Sequence, residues 1–176
     1  DLIPGNSSVV EYDEYDLKLL AVLSANARIH LIVLAEKIGL SPTATKYRLK
    51  NLKKKGVILG FRPKINLAKI GYYWYKVEFQ LEDYKAKEKL QAFCNQHPNI
   101  VYAYESIGGR TDFEIEMEVE SHQMFREVVD LIRKKFKDSI RTYSYYLWSM
   151  EHKIVFFPSL EFFKKDNNLV FLGQSR

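Results

Sequence analysis

A chain of 176 residues can build one or two domains with real cores, and its composition is that of a globular protein with a high aromatic share of 14%. No run of 18 apolar residues and no basic-then-apolar leader occurs, and the single cysteine, Cys94, excludes an internal disulfide or a cysteine-based metal site, so we expect a cytoplasmic protein. The net charge of +5 is uneven: residues 1–71 carry 12 basic and 6 acidic side chains, whereas residues 72–176 carry 15 and 16.

Residues 1–11, rich in Pro, Gly, Asn and Ser, read as an arm or linker. The first residue is Asp rather than Met, which implies trimming or a longer parent protein. Asp13 offers a helix cap, with Asp16 where the helix dipole favours a carboxylate, and Leu19, Leu20 and Leu23 continue an apolar stripe to about Asn26. A second helix is expected over 31–38, with Leu34, Ala35 and Ile38 inward and Gly39 as its stop.

The third helix, residues 42–55, carries the most information. Ser41 caps it, and Pro42 suits the first helical position because its missing N–H would be unpaired there anyway. Thr45, Leu49 and Leu52 recur at i, i+4 and i+7 and turn toward a core, which leaves Thr43, Lys46, Tyr47, Lys50 and Lys54 pointing outward. A helix built this way after a short turn is the kind that enters a DNA major groove. From Lys37 to Val77 there are 11 Lys or Arg and no Asp or Glu, as a phosphate-backbone binder requires. A lysine run alone is equally well explained as a solvated helix end; the run combined with cap, stripe and turn is not. Val57, Ile58 and Leu59, then Phe61 and Ile65, predict two short strands turning near Gly60, a wing with Arg62 and Lys64 exposed. Residues 12–66 therefore read as a winged helix-turn-helix domain.

Residues 67–71 are a connector, after which the pattern changes. Tyr73, Tyr75, Val77, Phe79 and Leu81 alternate with polar residues and Trp74, the period of a strand. A helix over 85–96 places Leu90, Phe93 and Cys94 inward, and strands follow at 100–107 and 111–120 with a Gly108–Gly109 turn between them. A helix over 122–136 and a strand over 140–150, extending as far as Phe157, complete the order β-α-β-β-α-β, so residues 72–157 read as a ferredoxin-like domain. The class is α+β. Helices cover only one face of such a sheet, yet Tyr146, Trp148 and Met150 in the last strand point opposite to Tyr143, Tyr145 and Leu147. A bare aromatic face of that size calls for a partner, and a homodimer with sheets packed face to face is the simplest answer. The tail 158–176 is aromatic and could instead fold back over it.

With these residues in place, the chain resembles the Lrp/AsnC, or feast/famine, family of prokaryotic transcription regulators. The resemblance spans about residues 12–155 and rests on Asp13, Asp16, Leu20, Leu23, Asn26, Arg28, Leu34, Ala35, Ile38, Gly39, Leu40, Ser41, Arg48, Leu49, Leu52, Gly56, Val57, Ile58, Gly60 and Phe61, with the short G-x-x-D element at Gly109-Arg110-Thr111-Asp112. It implies a winged helix domain that binds double-stranded promoter DNA. It also implies a ferredoxin-like (RAM) domain that forms dimers or higher oligomers and takes an amino acid or related metabolite at the subunit contact. Thr45 departs from the usual apolar branched residue but is close to Val in shape, and the Gly108–Gly109 pair and the Arg110-Thr111 insert differ from amino-acid-responsive members.

The candidate DNA-binding residues are thus Ser41, Thr43, Lys46, Tyr47, Arg48, Lys50, Lys54, Arg62 and Lys64. Thr43, Lys46, Tyr47 and Lys50 reach base edges or flanking phosphates, Arg62 and Lys64 hold phosphate, and Arg48 serves either phosphate or an internal ion pair. The candidate effector residues are Gly108, Gly109, Arg110, Thr111 and Asp112, although a glycine pair and an aspartate equally well form a tight, capped turn. His30, His97, His122 and His152 are scattered without metal-ligand spacing, and no acid–base pair or activated nucleophile is visible, so no metal, cofactor or enzymatic activity is expected. The competing readings are an enzyme like the siroheme decarboxylases, which share this architecture, and an assembly or sensor module that does not bind DNA. The first is disfavoured by Val101-Tyr-Ala-Tyr-Glu-Ser106, which lacks the decarboxylases' His- and Arg-containing segment.

Overall fold

The computed structural model describes residues 9–152, 154, 156 and 157. The expected tail 158–176 and the first eight residues of the arm lie outside them. The described chain divides into two compact units, one of the residues up to Pro63 with those after His152, the other Lys64–His152.

The first unit is a three-helix cluster. Helix α1 (Glu14–Ala25) opens on a capping box in which the Asp13 carboxylate accepts from the Asp16 N–H at 3.0 Å and Asp16 accepts from the Asp13 N–H at 3.3 Å. Its buried stripe is Leu19 and Val22, with Leu20 and Leu23 at the core edge, so Val22 takes the central place expected for Leu23. Helix α2 (Leu31–Ile38) ends at Gly39, whose φ of 76° is left-handed and therefore easy only for glycine. Helix α3 (Pro42–Lys54) closes in a Schellman motif: the Val57 N–H donates to Leu52 O at 2.9 Å and the Gly56 N–H to Lys53 O at 3.1 Å. Leu34, Ile38 and Leu52 complete the core with Leu19 and Val22.

The two wing strands expected at 57–59 and 61–65 do not form; the segment bends at 57–58 and runs on without a ladder. Leu59 and Ile65 are 70% and 64% exposed, so no core fixes the register of that alternation. Pro63 removes a ladder donor from a hairpin already too short to stand alone.

The second unit begins with a 3-10 turn, Leu67–Ile70, and continues as β1 (Tyr73–Leu81), α4 (Lys87–Gln96), β2 (Ile100–Glu105), β3 (Phe113–Val119), α5 (His122–Lys135) and β4 (Ile140–Leu147). The sheet is antiparallel throughout, in the order β2-β3-β1-β4. Its α+β arrangement is the ferredoxin-like βαββαβ fold. Period-two alternation in β1 and β3 sends Tyr75, Val77, Phe79, Leu81, Phe113, Ile115, Met117 and Val119 to one face, where Leu90 and Cys94 of α4 and Phe125, Val128, Val129 and Ile132 of α5 cover them. Burial pushes the Cys94 thiol up to about 12, the behaviour of a small hydrophobe. The last strand stops at Leu147 rather than 150, and β2 and β3 are each about two residues shorter at the 106–112 loop than the alternation implies. Among the described residues no helix is long and apolar enough to cross a membrane.

Candidate nucleic-acid interface

The interface is built by α3. The Ser41 hydroxyl accepts from the Ala44 N–H at 3.2 Å, and the buried Thr45 hydroxyl donates to Ser41 O at 3.0 Å, which fixes the helix start against the core. With Thr45 and Leu52 buried on one side, the 3.6-residue period leaves Thr43, Lys46, Tyr47, Lys50 and Lys54 exposed on the other. Tyr47 is 71% exposed, far more than a core-directed aromatic would be. Neither Lys46 nor Lys50 forms an ion pair among the described residues, so their ammonium groups remain available to an anion. Lys53 lies 5.0 Å over the Phe61 ring and Lys55 donates to Glu11 O at 2.6 Å, so these two neighbours serve the unit itself.

Arg48 takes the second of the two roles its position leaves open. Its guanidinium reaches Asp13 at 2.7 Å and Asp16 at 2.9 Å and stacks 5.3 Å over Tyr15, joining α3 to the start of α1. The bond to Arg48 holds the Asp13 carboxyl below the usual carboxylate range. The same acidic pair that caps α1 therefore anchors the base of α3. Arg62 is exposed, whereas Lys64 falls in the second unit and pairs with Glu151.

The glycine-rich loop is a second, separate feature. Gly108 and Gly109 have φ of 86° and 78°, which makes the tight reversal between β2 and β3. Asp112 knits that reversal to β1: its carboxylate accepts from the Leu81 N–H at 2.8 Å, and its own N–H donates to Phe79 O at 3.0 Å. Arg110 and Gly109 border an open cleft of about 430 Å³ whose other walls are Gln80, Leu81, Asp112 and Arg141. Gln80 and Arg141 were not singled out in the sequence, because β1–β4 pairing with its irregularity at Gln80/Leu81 is what brings them to the loop. Arg141 is already engaged by Glu82 at 2.6 Å. Among the described residues no group of His, Cys, Asp or Glu could hold a metal.

A recognition helix on a three-helix cluster, followed by a ferredoxin-like domain, defines a helix-turn-helix DNA-binding regulator. A winged helix-turn-helix DNA-binding family matches residues 12–58. The proline dehydrogenase transcriptional activator of Rhizobium radiobacter is 32% identical over 122 residues, 68% of this chain and 78% of that protein. The activator of the same name from Rhodobacter capsulatus is 33% identical over 115 residues, covering 64% and 73%. Among solved structures, a transcriptional regulator of Neisseria meningitidis in complex with L-Met matches at a TM-score of 0.74 with 20% identity, covering 86% of this chain and 99% of that one. AsnC of E. coli matches at 0.71 with 21% identity, covering 82% and 97%. The chain belongs to the Lrp/AsnC family and is a DNA-binding transcription regulator of that type.

Proposed function

We propose that this regulator reads duplex DNA with the outward face of α3, Thr43, Lys46, Tyr47 and Lys50 meeting base edges and adjacent phosphates. Ser41, Lys54 and Arg62 hold the backbone, which positions the helix without specifying sequence. Arg48 supports the helix from beneath and does not touch DNA. The observation that carries this reading is the row of exposed cationic and polar side chains on α3, none paired to a carboxylate within its unit among the described residues. Lys46→Glu with Lys50→Glu leaves the fold intact and abolishes DNA binding, because both side chains are exposed; a gel-shift titration giving native affinity would remove the assigned recognition helix.

The regulator acts as a homodimer in the cytoplasm. Two sheets pack through the face not covered by α4 and α5, which presents Trp74, Tyr102, Tyr104, Tyr146 and Trp148 in exposed or half-exposed positions. The cleft beside Gly109, Arg110 and Asp112 takes a small metabolite of the amino-acid class. Its cationic wall suits a carboxylate, and a related fold has been solved with L-Met bound. Calorimetric titration with a panel of amino acids checks this: Arg110→Ala lowers the affinity of the responsive ligand about tenfold or more, the loss of one charge-assisted hydrogen bond. A panel without a binder removes the effector reading.

A further inference from the structure

The face left open by α4 and α5 is not simply aromatic. Cross-strand pairing sets Glu78 opposite Glu114, Lys76 opposite Glu116 and Trp74 opposite Glu118 on the two central strands. Tyr102 and Tyr104 line the β2 side, stacked at 5.8 Å, and Tyr146 and Ser144 line the β4 side. Four carboxylates thus share this face with one ammonium. Lys76 is paired with two of them, Glu114 at 2.6 Å and Glu78 at 3.1 Å, and Ser106 donates a further bond to Glu114 at 2.5 Å. Glu116 accepts only the Trp74 indole N–H, at 3.0 Å, and the Glu118 carboxylate has no polar partner among the described residues. Around Glu118 stand Trp74, Glu116 and Asn99, with Glu120 bonded to Tyr72 beyond; none of these is a cation.

Stacking two such faces confines eight carboxylates with two ammonium groups, both already used. A second sheet also strips the remaining water from Glu116 and Glu118. An ionised carboxylate withdrawn from water without a counter-charge takes up a proton instead. The single copy already leans this way: burial raises both Glu116 and Glu118 above the ordinary carboxylate value, while Lys76 and Ser106 keep Glu114 below it.

Resting on the reading that two copies pair through this face, we propose that pairing is coupled to proton uptake at Glu116 and Glu118, so that the dimer tightens as the solution becomes more acid. The sign follows from linkage: carboxyls whose affinity for protons is higher in the dimer favour the dimer below their dimer-state value and oppose it above. His122 sits against Tyr73 and Tyr75, the latter on the helix-covered face, so its contribution must be separated from that of the two carboxyls.

Sedimentation equilibrium of the full chain and of Glu116→Gln with Glu118→Gln, at pH 7.5 and 5.0 and equal ionic strength, makes that separation, with circular dichroism checking that both fold. Glutamine keeps the shape and the acceptor for Trp74 while removing the titration. The native dissociation constant should fall at least tenfold at pH 5.0, and the variant should dimerise tightly at both values with less than a threefold change. Equal native constants at the two values, a variant that keeps the native pH dependence, or a variant that no longer dimerises would each overturn proton coupling while leaving sheet pairing in place. Two monomers at every pH and concentration overturn the pairing itself and the coupling with it.

Discussion

At the scale of single residues, Arg48 decides how the first unit holds together. An outward-looking arginine in a basic helix would serve phosphate, but α1 delivers two carboxylates beneath it, and a bidentate-capable guanidinium is stabilised there more than in water. Arg48→Ala leaves the nearly buried Asp16 without its cation and lowers unfolding stability by about 1–3 kcal/mol in urea titrations, a cost typical of orphaning a buried charged acceptor. Because Arg48 depresses the Asp13 carboxyl, its contribution is complete above the ordinary aspartate value of 3.8 and is lost as pH falls through the lowered one. The stability gap between native and variant therefore narrows below about pH 4. A gap that widened on acidification would contradict the pair.

At the scale of elements, α3 was legible because every local signal agrees: cap, proline at the first position, inward stripe, left-handed glycine at the end. Ser41→Ala removes the cap from the Ala44 N–H and costs about 1 kcal/mol in thermal or urea unfolding. The wing shows the opposite case. Its apolar residues alternate, but alternation sets strand register only where one side is buried, and here only Ile58 reaches the core while Val57, Leu59, Phe61 and Ile65 are exposed. In the second unit β1 and β3 were legible from their clean period of two, and the turn from Gly108–Gly109, while the anchoring of the loop 106–112 was not. Asp112 donates and accepts across to β1 through pairings that lie some thirty residues away in sequence, as its bond to Leu81 at a separation of 31 shows. No window of neighbouring residues carries that information.

At the scale of the whole molecule, the charge imbalance between the halves separates two jobs: a cationic reading head and a nearly neutral ferredoxin-like module. Each phosphate contact releases counterions, so Lys50→Ala or Lys54→Ala should reduce the slope of log affinity against log salt by about one, across specific and random duplexes alike. An unchanged slope would place that lysine off the backbone. The amino-acid order by itself determined the three N-terminal helices, the β-α-β-β-α-β order of the second unit, the family and the exposed row on α3, because periodicity, caps and charge are local properties that a helix or strand expresses wherever it sits. Only the tertiary structure decided which basic residues are free and which carboxylates are unpaid neighbours. Arg48 is neutralised by α1, Lys64 by Glu151 and Lys76 by Glu78 and Glu114, whereas Glu116 and Glu118 form no ion pair among the described residues. Electrostatic pairing falls off within a few ångströms, so it depends on which strands and helices come side by side, a property of the fold rather than of neighbouring letters.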